Sequence, residues 1–376
     1  MRTPIPSRRL RTGWLFLLLP ALALSLTACD DVNPFSSDDS LADVAEAKEG
    51  TIPGNQIYEG CSGGKDCIPA LTNPSTTDAQ DVSFLDPSSR VIGVQVGEKA
   101  IAVPHNILWW HEIANLSVEG LNLAVTLCPL TGSSLTFNRS TIGGAEFGVS
   151  GLLFRNNLIM YDRRSTESLW PQMMREAGKG EATGTELEMY PSIEISWEGW
   201  KELHPNSAVV NRNTGHQRNY NRYPYGDYDR RENGNTLYPM PDGVDSQRAP
   251  KERVLGVPDG EGGGIAFPFG ELADGSATKR VVAYEGGEEP IVVFWNGAFE
   301  GAMAYRPVLE GEELSFAVRD EEIVDVGTGS TWTVDGRATS GPMSGKRLEA
   351  VPNAYTAFWF AWAGFQPDTE IWTTGG

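Results

Sequence analysis

The chain has 376 residues, a formal net charge of −20, 42 glycines, 24 prolines, and 11 Trp, 11 Tyr and 14 Phe. So acidic a surface repels phosphate backbones and anionic headgroups, which argues against a nucleic-acid partner. The length suffices for two domains, and short runs punctuated by Gly and Pro favour strands and turns over long helices.

Residues 1–28 read as a lipoprotein signal peptide. Arg2, Arg8, Arg9 and Arg11 precede an apolar run from Trp14 to Leu26 that Pro20 interrupts, too short for a comfortable membrane span. The run ends in Leu26-Thr27-Ala28-Cys29, which resembles a bacterial lipobox; Cys29 would then carry palmitate-type acyl chains and become the first mature residue. A cleaved signal with a chance cysteine is the alternative. Losing the four arginines takes the net charge from −20 to −24. Two acyl chains anchor stably where one does not. The expected location is the cell envelope, on the periplasmic or exterior side of a membrane. Residues 29–55 are poor in large apolar side chains and read as a solvated tether.

Cysteine usage follows from an oxidising compartment. Cys61 and Cys67 flank Ser-Gly-Gly-Lys-Asp and are expected to close a small disulfide, with a two-cysteine metal clip as the alternative. Cys128 is left over.

An internal repeat comes next. Arg90-Val-Ile-Gly-Val-Gln-Val-Gly-Glu98 returns as Arg253-Val-Leu-Gly-Val-Pro-Asp-Gly-Glu261, each followed by a second short strand ending in Ala-x-Pro. The pattern is a hairpin with a Gly-Glu turn. Scaffold segments recur in order, ending with Trp197 and Trp200 against Trp359 and Trp362. The fold class is therefore mostly β (α+β): two duplicated β-rich domains, 85–210 and 253–374, each with one short helix, the second a degenerate copy. The stretch from Ile193 to Leu203 reads as the helix of the first copy, stopping before His204-Pro205. Residues 211–252, with Tyr220, Tyr223, Tyr225, Tyr228 and Tyr238, are too aromatic for a free linker and are expected to pack across both domains.

The reactive residues belong to the first copy alone. Trp109-Trp110-His111-Glu112-Ile113 is one such run; Thr126-Leu127-Cys128-Pro129-Leu130-Thr131-Gly132 is another. A cysteine where a strand meets a Cys-Pro turn is placed to expose its sulfur beside free N–H groups, which depress a thiol's pKa. His111 would serve as its base or as a co-ligand, and Asp162 or Glu112 would orient the imidazole. Arg163 and Glu167 complete the candidate catalytic set. A buried cysteine acting as a small hydrophobe, with a satisfied histidine, is the competing reading. His111, Cys128 and the thioether of Met160, with Met173 or Met174 as alternatives, are also a set suited to copper or another transition metal, or to haem iron. In Phe147-Gly-Val-Ser150-Gly the glycines point to a bulge rather than a serine elbow.

These runs, with Met160-Tyr-Asp-Arg163, Glu167-Ser-Leu-Trp170, Pro224-Tyr225-Gly226-x-Tyr228 and Lys251-Glu-Arg-Val-Leu-Gly256, resemble the bacterial and archaeal family catalogued as domain of unknown function 3179. The resemblance covers most of the mature chain and brings no assigned activity. It implies Cys-Pro-x-Cys-Gly at the turn in many members. Here Thr131 stands at the second cysteine's place, which speaks against a dithiol redox function and leaves single-thiol or mixed-ligand chemistry.

Two functions compete. One is an envelope lipoprotein using Cys128 and His111 on a metal or a small substrate. The other is a non-catalytic binding or assembly module acting through its acidic surface and Tyr-rich segment.

Overall fold

The computed structural model describes residues 50–240, 247–274, 278–287 and 289–375; the signal peptide, Cys29 and the tether up to residue 49 lie outside the described residues. Alternating apolar residues in the first repeat motif give a hairpin, Arg90–Val96 against Lys99–Pro104, which runs into a four-residue helix, His105–Leu108. The second motif does the same with Arg253–Pro258, Gly263–Pro268 and Phe269–Leu272. Each hairpin takes a third, antiparallel strand from far along the chain. Ile193–Ser196 pairs Ser196 with Arg90, and Tyr355–Phe358 pairs Phe358 with Arg253. A seven-residue helix follows each, Trp197–Leu203 and Trp359–Phe365, and then a strand parallel to the hairpin's second arm.

The conserved pattern of the two motifs has a packing cause. A methyl group at Gly93 would come within 2.0 Å of the Trp200 ring, and one at Gly256 within 2.1 Å of the Trp362 ring. Each indole lies directly on its hairpin, and its N–H donates 2.9 Å to Ser207 Oγ or Thr369 Oγ1 seven residues on.

A three-strand meander stands between hairpin and third strand in each half: Ile113–Val118, Leu121–Cys128 and Ser133–Asn138, then Lys279–Tyr284, Ile291–Asn296 and Gly301–Tyr305. The protein is mostly β. Each half nevertheless carries two short α-helices rather than the expected one. Residues 193–196 also belong to a strand, because Ile193 and Ile195 alternate into a core while Ser196 caps the helix by accepting the Gly199 N–H at 3.2 Å.

The halves do not keep separate cores. The face of the second hairpin bearing Val254 and Ala266 packs, with Trp359 and Trp362, against Cys128, Leu135, Phe137 and Phe147 of the first half. Reciprocally, Val91, Ala102, Ile195 and Trp200 pack on Phe294, Tyr305, Ile323 and Trp332 of the second. The opposite face of each hairpin packs on its own meander. Ser134 pairs with Thr356, joining strands of both halves into one eight-stranded sheet. A repeat alone would leave one face of its hairpin in water, at a cost of about 25 cal/mol for each Å² of apolar surface.

The fold also begins earlier than expected. Ile52 is 2% exposed, Thr51 N–H donates to Gly178 O, and Ile57–Glu59 pairs with the Phe147–Phe154 strand. The tether therefore ends before residue 51. The Phe147–Phe154 strand bulges at Ser150-Gly151, where Gly151 takes φ +79° and the register to Asn157–Asp162 shifts. No helix among the described residues is long and apolar enough to cross a membrane.

Candidate functional site

Cys128 is the last residue of its strand and pairs with Ser133 across the Pro129–Gly132 turn. Its sulfur is not exposed: the residue has 0% accessibility, and the thiol donates 3.7 Å to Asn156 O. This corrects the expectation of a surface thiol. Burial, then the charge of Glu112, push the thiol up to about 11. The Thr131 hydroxyl and the N–H groups of Thr131 and Leu158 pull the other way, as the turn suggested, and they lose.

His111 is fully buried as well, and each ring nitrogen has a partner. Nδ1 donates 2.7 Å to Pro69 O, and Nε2 accepts from Tyr220 Oη at 2.7 Å. That assignment fixes the tautomer, since a carbonyl only accepts. Burial lowers the imidazole to about 4 despite the Pro69 bond, so it is neutral at physiological pH. Neither nitrogen bonds the thiol, and the expected Cys128–His111 pair is absent from the described hydrogen bonds.

Asp162, Arg163 and Glu167, of which at least one was expected beside His111 and Cys128, have their polar partners in other side chains. The buried Asp162 carboxylate accepts from Arg164 Nε at 2.8 Å, Ser168 N at 3.2 Å and Trp170 Nε1 at 2.7 Å, which organises the turn before Ser168–Pro171. It has a counterpart in the other half, Asp325, which ends a strand and accepts from Gly327 and Thr328 N–H. Arg163 bonds Asp66 Oδ1 at 2.9 Å and Glu146 Oε2 at 3.1 Å, and Glu167 pairs with Lys65. These residues hold the loop closed by the Cys61–Cys67 disulfide.

What the structure does bring to Cys128 is Glu112 and a set of tyrosines. Glu112 sits at φ +55°, where the chain leaves the His105–Leu108 helix and turns into a strand. A side chain in that conformation costs about 1–2 kcal/mol. Its carboxyl is buried, and burial alone raises it to about 8. Tyr223, Tyr225 and Tyr228 cover it from the 211–252 segment. Tyr223 Oη donates 3.2 Å to Pro129 O, and Tyr225 is raised well above its usual value by burial, then by Glu112 and Cys128. Lys251 pins the segment from below, its ammonium 4.1 Å from the Tyr228 ring centre and 4.6 Å from that of Phe360. Tyr220 and Tyr228 are buried, so these rings are used inside the protein rather than displayed.

At neutral pH the thiol and the imidazole are both uncharged, and Glu112 holds its proton across most of that range. No thiolate–imidazolium pair forms. The metal set fares no better: Met160 lies in the hydrophobic core, both His111 nitrogens are taken, and among the described residues no group of three or more His, Cys, Asp or Glu could hold a metal ion. The residues do not fit copper or haem iron.

A family model matches residues 65–369 under the description "Protein of unknown function (DUF3179)". The chain belongs to that family. No curated protein and no solved structure matches it. The DUF3179 match takes in Cys128, the tyrosines and both hairpins, while Cys29 lies before it.

Sequence reading passed over one further site. His204 and Asp335 meet in a cavity of about 540 Å³ between the halves, with Nε2 3.2 Å from Oδ2. Burial would raise Asp335, but bonds from His204 and Thr333 and the charge of Arg347 outweigh it and leave the carboxyl at about 2. Asp335 follows no motif, and His204 looked like a helix stop; 131 residues separate them.

Proposed function

We propose that this DUF3179 protein is a lipid-anchored component of the cell envelope, held through Cys29, whose folded part binds a ligand or partner without transforming it. One observation carries the reading: Cys128, the candidate nucleophile, is sealed at 0% exposure under tyrosines of a segment about a hundred residues away. A nucleophile has to meet its substrate, and a thiol needs a positive neighbour or N–H donors strong enough to ionise it. For Cys128 burial opposes ionisation first, and Glu112 adds to that only once it is itself charged. The acidic surface and the cavities lined by both halves suit recognition, whereas the Tyr-rich segment acts as a seal.

Residue-resolved alkylation tests this. In the native protein Cys128 should resist iodoacetamide and react only on unfolding. Labelling at the rate of a free thiol, or copper that co-purifies with the protein and is lost in Cys128→Ala, would restore the catalytic or metal reading. The anchor is tested apart from this: Cys29→Ala should release the protein from membranes or leave it unprocessed, and unchanged processing with tight attachment would refute it.

A further inference from the structure

Buried polar atoms normally have partners. Among the described residues several do not, and three of these line one cavity: Arg155 Nε, Arg175 Nε and Gln366 Oε1. Gln366 is 6% exposed. Tyr355 lies outside the lining, beside the Gln366 side chain and within reach of the Arg175 charge. The cavity, of about 440 Å³, lies where the Phe154–Asn157 hairpin turn faces the end of the Trp359–Phe365 helix.

Its chemistry is unlike the rest of the molecule. In a chain of net charge −20, the only charged residues lining it, among the described residues, are these two arginines. Among the described residues neither guanidinium is in an ion pair; Arg155 donates 2.7 Å to Gly364 O, and Arg175 has no side-chain hydrogen bond. Burial lowers Arg155 with no acid opposing it. Both backbones take the left-handed conformation, φ +51° and +60°. Strain of that kind persists where the surroundings impose it, and it gathers at ligand sites. The remaining wall is mixed: the Arg155 guanidinium lies 5.0 Å from the Phe154 ring centre and 5.6 Å from that of Phe365, Met173 adds apolar surface, and Thr51 and Gln56 are polar.

We propose that this cavity binds a small organic carboxylate, its anionic head held by Arg155 and Arg175 and its apolar body against Phe154, Met173 and Phe365. Gln366 meets the head through its amide N–H, since a carboxylate only accepts. A carboxylate fits because arginine donates in a planar fork that matches two oxygens, and because an anion there would pair two half-buried cations that meet no acid among the described residues. The proposal supplies a ligand class for the binding reading, but its readout is independent of Cys128.

The test is calorimetric titration of the full chain with phenylacetate and with octanoate, against phenylacetamide and inorganic phosphate. At least one carboxylate should bind saturably at one site, with neutral phenylacetamide and phosphate both weaker by at least about tenfold. Arg175→Met should weaken the carboxylate at least about tenfold without altering the fold, since its side chain makes no hydrogen bond in the protein. Arg155→Lys, which keeps the charge but loses the fork, is a second variant that spares the hairpin and should also weaken it. Absence of saturable carboxylate binding, equal binding of phenylacetamide or of phosphate, or full affinity in Arg175→Met would overturn the site. Reactive Cys128 with intact carboxylate binding would sink only the non-catalytic reading.

Discussion

Arg253 Nη1 stands 3.4 Å from Glu194 Oε1, an ion pair between the first residue of the second hairpin and a strand of the first half. Arg90, the matching residue of the first hairpin, reaches the same carboxylate with Nε at 2.5 Å, and Ser134 donates to its other oxygen. Burial would raise Glu194, but the two arginines outweigh it and hold the carboxyl well below the usual range. Removing one member of a buried ion cluster leaves the others uncompensated. Glu194→Gln should therefore cost about 3 kcal/mol in urea unfolding, in a single transition, because the carboxylate ties both halves. Its contribution is present above an unfolded pKa of about 4.3 and is lost as pH falls below that value. A loss under about 1 kcal/mol would show that the cluster is not a clamp.

Glu112 and His111 act oppositely on pH dependence. With its carboxyl raised to about 8, folded Glu112 keeps a proton that the unfolded chain releases near 4.3, so its contribution is lost as pH rises through that window. His111, lowered to about 4, stays neutral in the fold, so its contribution is lost as pH falls from about 6.5 toward 4. Glu112→Gln mimics the protonated acid. It should match the parent near pH 5 and exceed it by about 3 kcal/mol at pH 8, read from denaturant midpoints. Equal pH slopes in parent and variant would show that Glu112 ionises freely in the fold.

Gly93→Ala and Gly256→Ala probe the equivalence of the halves. Each methyl would meet an indole at about 2 Å, where the backbone or the ring must shift. Overpacking of this order costs about 1–3 kcal/mol. Both variants should melt several degrees lower and by similar amounts; a neutral effect at either would mean that its tryptophan is free to move.

Thr131 stands beside the Cys128 sulfur, and its hydroxyl also bonds Ser133 Oγ at 2.8 Å. Thr131→Cys should place a second sulfur within bonding reach. The variant, purified in air and unfolded without reductant, should then show no free thiol, where the parent shows Cys128. Two free thiols would mean that the turn holds the side chains apart.

The sequence by itself determined what is local: the two hairpins, written in alternating aliphatics and a turn; their shared glycines; the Cys61–Cys67 loop, five residues wide; and the Gly-permitted bulge at 151. Strand periodicity states that a face is apolar but not what will cover it. Only the tertiary structure decided that each hairpin packs on the other half's meander, so that two repeats became one interlocked body. It also decided the fate of Cys128. A strand end before proline looks open in sequence, and Tyr223 and Tyr225 close it from nearly a hundred residues away. Arg155 and Arg175 carry no motif at all. Their pairing in one cavity depends on where the Trp359–Phe365 helix of the other half comes to rest, and charge in a linear sequence does not say which side chains will share a wall.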